Sequence, residues 1–94
     1  MIYIVSRHPG SVEWLALDGW KGQVLNHFDP SIVEMGDCVV GTLPATLAAD
    51  VCERGGRYIH LTIEVPDGHR GIELTSAQLN EFGATLTELH VRRV

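Results

Sequence analysis

The sequence predicts one α/β domain spanning residues 1–94, with a mostly parallel sheet flanked by helices. Three observations lead there. Short apolar runs rich in β-branched residues occur at Met1-Ile2-Tyr3-Ile4-Val5, at Asp37-Cys38-Val39-Val40-Gly41 and at Tyr58-Ile59-His60-Leu61-Thr62-Ile63, the pattern of strands buried on both faces. Helical patterns lie between the runs, and strands that alternate with helices build parallel crossovers of the Rossmann-like kind. A length of 94 residues is one domain, near the low end of the common range.

Each element has its own signal. Residues 1–5 form the first strand. Ser11 is placed to cap a helix running to about Leu17, with Glu13 in its first turn and Val12, Leu15 and Ala16 on one apolar face. Asp18-Gly19 ends that helix. Residues 22–28 read as a second strand, Asp29-Pro30 as a turn or short helical crossing, and residues 37–41 as the third strand. Pro44 falls in the first turn of a second helix, where its missing N–H costs little. Leu47, Ala48, Val51 and Cys52 give that helix a buried face, Asp50, Glu53 and Arg54 face water, and Gly55-Gly56 terminates it.

Residues 57–64 are a fourth strand. Pro66-Asp67-Gly68 is a turn, and the loop continues to Leu74. Thr75-Ser76-Ala77-Gln78 has capping-box form and opens a third, short helix. Residues 85–93 are a last strand whose polar content suits a sheet edge. Right-handed crossovers give the strand order 2-1-3-4 with the last strand at an edge.

The net charge of −5 argues against an extended DNA or RNA duplex as partner, since that surface needs a basic stripe. The seven cations are scattered, so any anion site must be focal. Cys38 and Cys52 are flanked by apolar residues and read as free thiols in a reducing compartment, which points to the cytoplasm. The opening strand is too short for a signal peptide, and no apolar run approaches the ~20 residues of a membrane span. Trp14, Trp20 and Tyr58 read as core or interface, and His60 as structural.

In this topology the chain winds one way from strand 1 and the other way from strand 3, and their carboxyl ends leave a crevice of the kind that binds ligands. The loops leaving them are Ser6-Arg7-His8-Pro9-Gly10 and Gly41-Thr42-Leu43-Pro44. Arg7 offers a planar fork for phosphate, His8 can move a proton near neutral pH, and Ser6 and Thr42 offer hydroxyls. Gly10 and Gly41 would let backbone approach a ligand. Both loops run into helix N-termini, which favour negative charge. The loop after strand 4 adds His69 and Arg70, and His27 is a more distant candidate. Each has a plainer role: Arg7 paired with a carboxylate, His8 a surface residue, Thr42 a helix cap, His69 and Arg70 a solvated turn. No GxGxxG, Walker, CxxC, HExxH or GxSxG motif occurs, so metal-free chemistry or plain binding, with no cofactor, is the expectation.

Taken together, Ser6-Arg7-His8-Pro9-Gly10, Gly41-Thr42-Leu43-Pro44, Leu47-Ala48-Ala49 and Arg70-Gly71-Ile72-Glu73-Leu74 resemble the small CRISPR-associated Csx family numbered sixteen, found with type III CRISPR systems. The resemblance implies a Rossmann-like twofold homodimer and a ring nuclease that cuts cyclic oligoadenylate, chiefly cyclic tetra-adenylate, without a metal, switching off antiviral defence. It carries a ligand-binding role onto Arg7, His8, Thr42 and Arg70. The mechanism we expect is attack by the ribose 2′-hydroxyl, with Arg7 and His8 catalytic and with Ser6, Pro9, Gly10, Gly41, Thr42, Leu43, His69 and Arg70 holding substrate. Three other readings stay open: a module that binds or sequesters the cyclic nucleotide without cutting it, a phosphotransfer enzyme using Arg7-His8, and a structural partner of the CRISPR effector complex. The phosphotransfer reading usually needs a longer chain, a second arginine and a second histidine, and Pro9 stands where the glycine of such enzymes would be.

Overall fold

The central strand of the sheet is the one with no polar position facing water. Cys38–Gly41 (β3) is buried at all four residues, because it has a strand on each side and helices over both faces. It pairs in parallel with Ile2–Val5 (β1), with Val5 opposite Gly41, and with Arg57–Thr62 (β4), with Gly41 opposite His60. Gln23–Leu25 (β2) lies outside β1, and Thr85–Leu89 (β5) closes the other edge antiparallel to β4. The five-stranded order is thus β2-β1-β3-β4-β5, as the crossover argument requires. The structure, a computed structural model, describes residues 1–94.

The helices are Pro9–Leu17 (α1), Ala45–Glu53 (α2) and Ser76–Glu81 (α3), with 3₁₀ turns at Pro30–Ile32 and Asp67–His69. They divide the core into two layers. On one side Leu15 of α1 packs with Ile4, Val40 and Ile59, bordered by Trp14, Trp20 and Leu86. On the other, Ala48 and Val51 of α2 pack with Tyr3, Val39 and Tyr58, bordered by Phe28 and Leu47. The alternation of side chains along each strand supplies both layers at once. No helix is long and apolar enough to cross a membrane.

Several boundaries differ from the sequence expectation. α1 begins at Pro9, with His8 as its N-cap in extended conformation, rather than being capped by Ser11. Proline at the first helical position has the required φ and no N–H to leave unpaired, so Ser11 falls inside the first turn and is buried. Ala16 is exposed, not core, and Leu15 carries the burial of that face. β2 is three residues long because as an edge strand it has one neighbour, and the chain leaves the sheet at Asn26. β4 ends at Thr62 and β5 at Leu89, both shorter than their apolar patterns. α3 has the expected capping box, with Thr75 accepting from the Gln78 N–H at 3.1 Å and Gln78 accepting from the Thr75 N–H at 3.0 Å.

Candidate functional site

The carboxyl ends of β1 and β3 part above α1 and α2, and a crevice of about 480 Å³ lies there, within the size range of small-molecule sites. Ser6, Arg7 and His8 form one wall, Gly41, Thr42, Leu43 and Pro44 a second, and Asn26, His27 and Phe28 at the exit of β2 a third. Val5, Leu15, Leu47 and Leu61 complete an apolar floor. The switch-point argument therefore places Ser6, Arg7, His8, Gly41, Thr42 and Leu43 together, and His27 belongs with them.

Arg7 is the only arginine or lysine lining this space. Its Nε–H donates to the Asn26 carbonyl at 3.3 Å, and no carboxylate pairs with it. Most of the guanidinium fork is thus left for a ligand. His8 is fixed at its backbone, where its N–H donates to Ser6 Oγ at 3.0 Å while the Ser6 hydroxyl turns back to the His8 carbonyl at 3.4 Å. Ser6 therefore shapes the turn that aims Arg7 and His8, as serine hydroxyls do in tight turns. The His8 ring lies 2.8 Å from a carboxylate, Nδ1 to Oε1 of Glu73.

The facing loop is held from below. Thr42 does not cap α2; Pro44 stands at that position, and the Thr42 hydroxyl donates to the Leu61 carbonyl at 2.8 Å. Tyr58, 1% exposed, accepts the Leu43 N–H at 2.9 Å, and its oxygen lies 2.6 Å from Nδ1 of His60 and 3.3 Å from the Gly41 carbonyl. Burial pushes the Tyr58 phenol up, opposed by the Leu43 N–H. The phenol therefore stays neutral and keeps a proton to donate. The backbone N–H groups of Gly10, Ala45, Thr46 and Leu47, at the starts of α1 and α2, have no acceptor within the protein, which leaves donors at both helix N-termini.

Other expected residues stand apart. Pro9 and Gly10 belong to α1 and do not line the crevice. Both glycines have a packing reason of their own: a Cβ on Gly10 would sit 1.9 Å from the Leu74 carbonyl oxygen, and one on Gly41 would sit 2.4 Å from that of Val5. They let protein backbone approach protein backbone, and Gly41 also lines the crevice. His69 is stacked edge-on against Phe82 at 5.1 Å, and Arg70 pairs with Asp67 at 3.6 Å across an exposed turn. Neither lines the crevice; from the same loop, Glu73 reaches the His8 ring. Asn26 and Phe28 line the crevice without having been expected there, Glu73 meets His8 from outside the lining, and Tyr58 and His60 take the core and structural places expected of them. No three His, Cys, Asp or Glu side chains stand close enough to hold a metal ion.

Fold and crevice together define a small Rossmann-like α/β domain with an arginine- and histidine-bearing crevice at its topological switch point. The chain belongs to a CRISPR-associated family: the family model described as "Putative CRISPR-associated protein (Cas_VVA1548)" matches residues 3–92. No curated protein and no solved structure matches the chain.

Proposed function

We propose that the protein is a ring nuclease of type III CRISPR defence, akin to the Csx family numbered sixteen. It would bind cyclic oligoadenylate, chiefly cyclic tetra-adenylate, as a homodimer and open the ring by metal-independent attack of a ribose 2′-hydroxyl. The observation that carries this reading is the guanidinium of Arg7, free of any carboxylate, beside the imidazole of His8 in a switch-point crevice of a CRISPR-associated chain. A compact cyclic polyanion needs only such a focal site, which fits a protein of net charge −5. Two copies of the crevice across a dimer axis suit a ligand with twofold symmetry. Arg7 would meet the charge that builds on the phosphorane, and alignment of the 2′-oxygen with the leaving oxygen supplies up to ~7–11 kcal/mol in good cases.

The test is incubation with cyclic tetra-adenylate in excess EDTA, with products identified by mass. Linear products ending in 2′,3′-cyclic phosphate are expected, with Arg7→Ala and His8→Ala each much slower. A ring that stays bound and intact rejects the nuclease reading in favour of sequestration. Wild-type rates in both variants place the chemistry elsewhere.

A further inference from the structure

We infer that Glu73 is the positioning residue for His8, holding its imidazole in the Nδ1–H form so that Nε2 is the proton acceptor in ring opening. This rests on the nuclease reading above.

The contact is Nδ1 to Oε1 at 2.8 Å between residues 65 positions apart. Both side chains are largely exposed, 67% and 58%, so the pairing depends on where their backbones are held. His8 is the N-cap of α1 and its N–H is tied to Ser6. On the other side, the Leu74 carbonyl is packed against Gly10 in the first turn of α1. Thr75 then caps α3, which lies alongside α1. Glu73 is thereby docked over the start of α1. The nearest cation in sequence does not compete for it, since Arg70 pairs with Asp67.

An ionised carboxylate only accepts hydrogen bonds, so a neutral His8 facing it carries its proton on Nδ1. Nε2, which has no protein partner, then keeps its lone pair. Nε2 takes the 2′-hydroxyl proton as the 2′-oxygen bonds to phosphorus. The bond from phosphorus to the 5′-oxygen breaks, its electron pair stays with that oxygen, and the oxygen takes a proton from water. The imidazolium, formed beside the Glu73 carboxylate, returns its proton to the hydroxide so produced.

The experiment reads the His8 tautomer by long-range proton–nitrogen correlation in labelled protein without nucleotide, in wild type, Glu73→Gln and Glu73→Ala. The Nδ1–H form is expected in wild type and in Glu73→Gln, whose amide oxygen still accepts, with a shift to Nε2–H in Glu73→Ala. Cyclic tetra-adenylate turnover should then lose about 10–100-fold in kcat at unchanged KM in Glu73→Ala, part of the roughly 10²–10⁴-fold that a positioned base supplies. Glu73→Gln should fall between. An unchanged tautomer in Glu73→Ala overturns the inference whether or not the ring is cut. The expected tautomer shift in Glu73→Ala, together with a wild-type protein that leaves the ring intact, sinks the nuclease reading and leaves the positioning of His8 by Glu73 standing.

Discussion

Replacing Gly10 with alanine probes the docking of loop to helix that brings Glu73 to His8. A Cβ built on Gly10 meets only backbone: Leu74 O at 1.9 Å, Leu74 C at 3.0 Å and Thr75 C at 3.2 Å. No side chain can rotate out of the way, so the 74–75 segment must retreat by about 1.5 Å to reach ordinary contact. Overpacking of this kind costs about 1–3 kcal/mol. Alanine's better helix propensity returns about 1 kcal/mol in a helix interior and only part of that in the first turn, where Gly10 lies, leaving a central net loss of roughly 1–2 kcal/mol. For a domain of this size that is a Tm lower by roughly 4–16 °C. Thermal melts followed by circular dichroism measure it, and the His8 tautomer should drift in the direction expected of Glu73→Ala. A Gly10→Ala protein that melts at or above the wild-type temperature with the His8 tautomer unchanged refutes the reasoning.

Three further outcomes follow from the same contacts. Tyr58→Phe leaves the Leu43 N–H without its buried acceptor, which costs about 1–3 kcal/mol. It should lower the urea midpoint at unchanged slope, and a midpoint equal to wild type would dismiss the hydroxyl as a support of the loop. The Asp37 carboxyl is held below the usual carboxylate range chiefly by the Glu34 N–H at 2.9 Å, against burial. A lowered value contributes stability that is present above the unfolded pKa and lost as pH falls through the folded one. The Tm of Asp37→Asn should therefore fall less steeply than wild type below about pH 4; identical slopes would reject this. Burial pushes the Cys38 thiol up, so it should resist alkylation until the protein unfolds, whereas native-rate labelling would show that β3 opens locally.

The sheet was legible because its strands are written in apolar runs bounded by glycine and proline. β3 reads as buried from four consecutive residues, and the two loops follow from its position next to β1. The capping box at Thr75 was equally plain. What the chain did not declare were distances between segments far apart in sequence. Glu73 looks like any loop carboxylate until α3 packs on α1 and carries it to His8. Tyr58 and His60 look like strand residues until the Leu43 N–H is found seeking an acceptor beneath the crevice. His69 and Arg70 carried the expected chemistry, but the Asp67–His69 turn directs one onto Phe82 and the other toward Asp67. Residue type pointed to this loop, and geometry sets Glu73 rather than His69 or Arg70 against His8.

The position of β1 between two later strands also governs how the protein is made. Residues 2–5 are made before both of their partners, residues 23–25 and 38–41. The closing of those loops must precede any parallel pairing, an entropic cost that slows folding of such topologies. Until then a nascent chain carries an apolar strand with both edges open, a template for association with its neighbours. Glu73 is made 65 residues after His8, so their contact cannot form until the whole stretch between them has been translated.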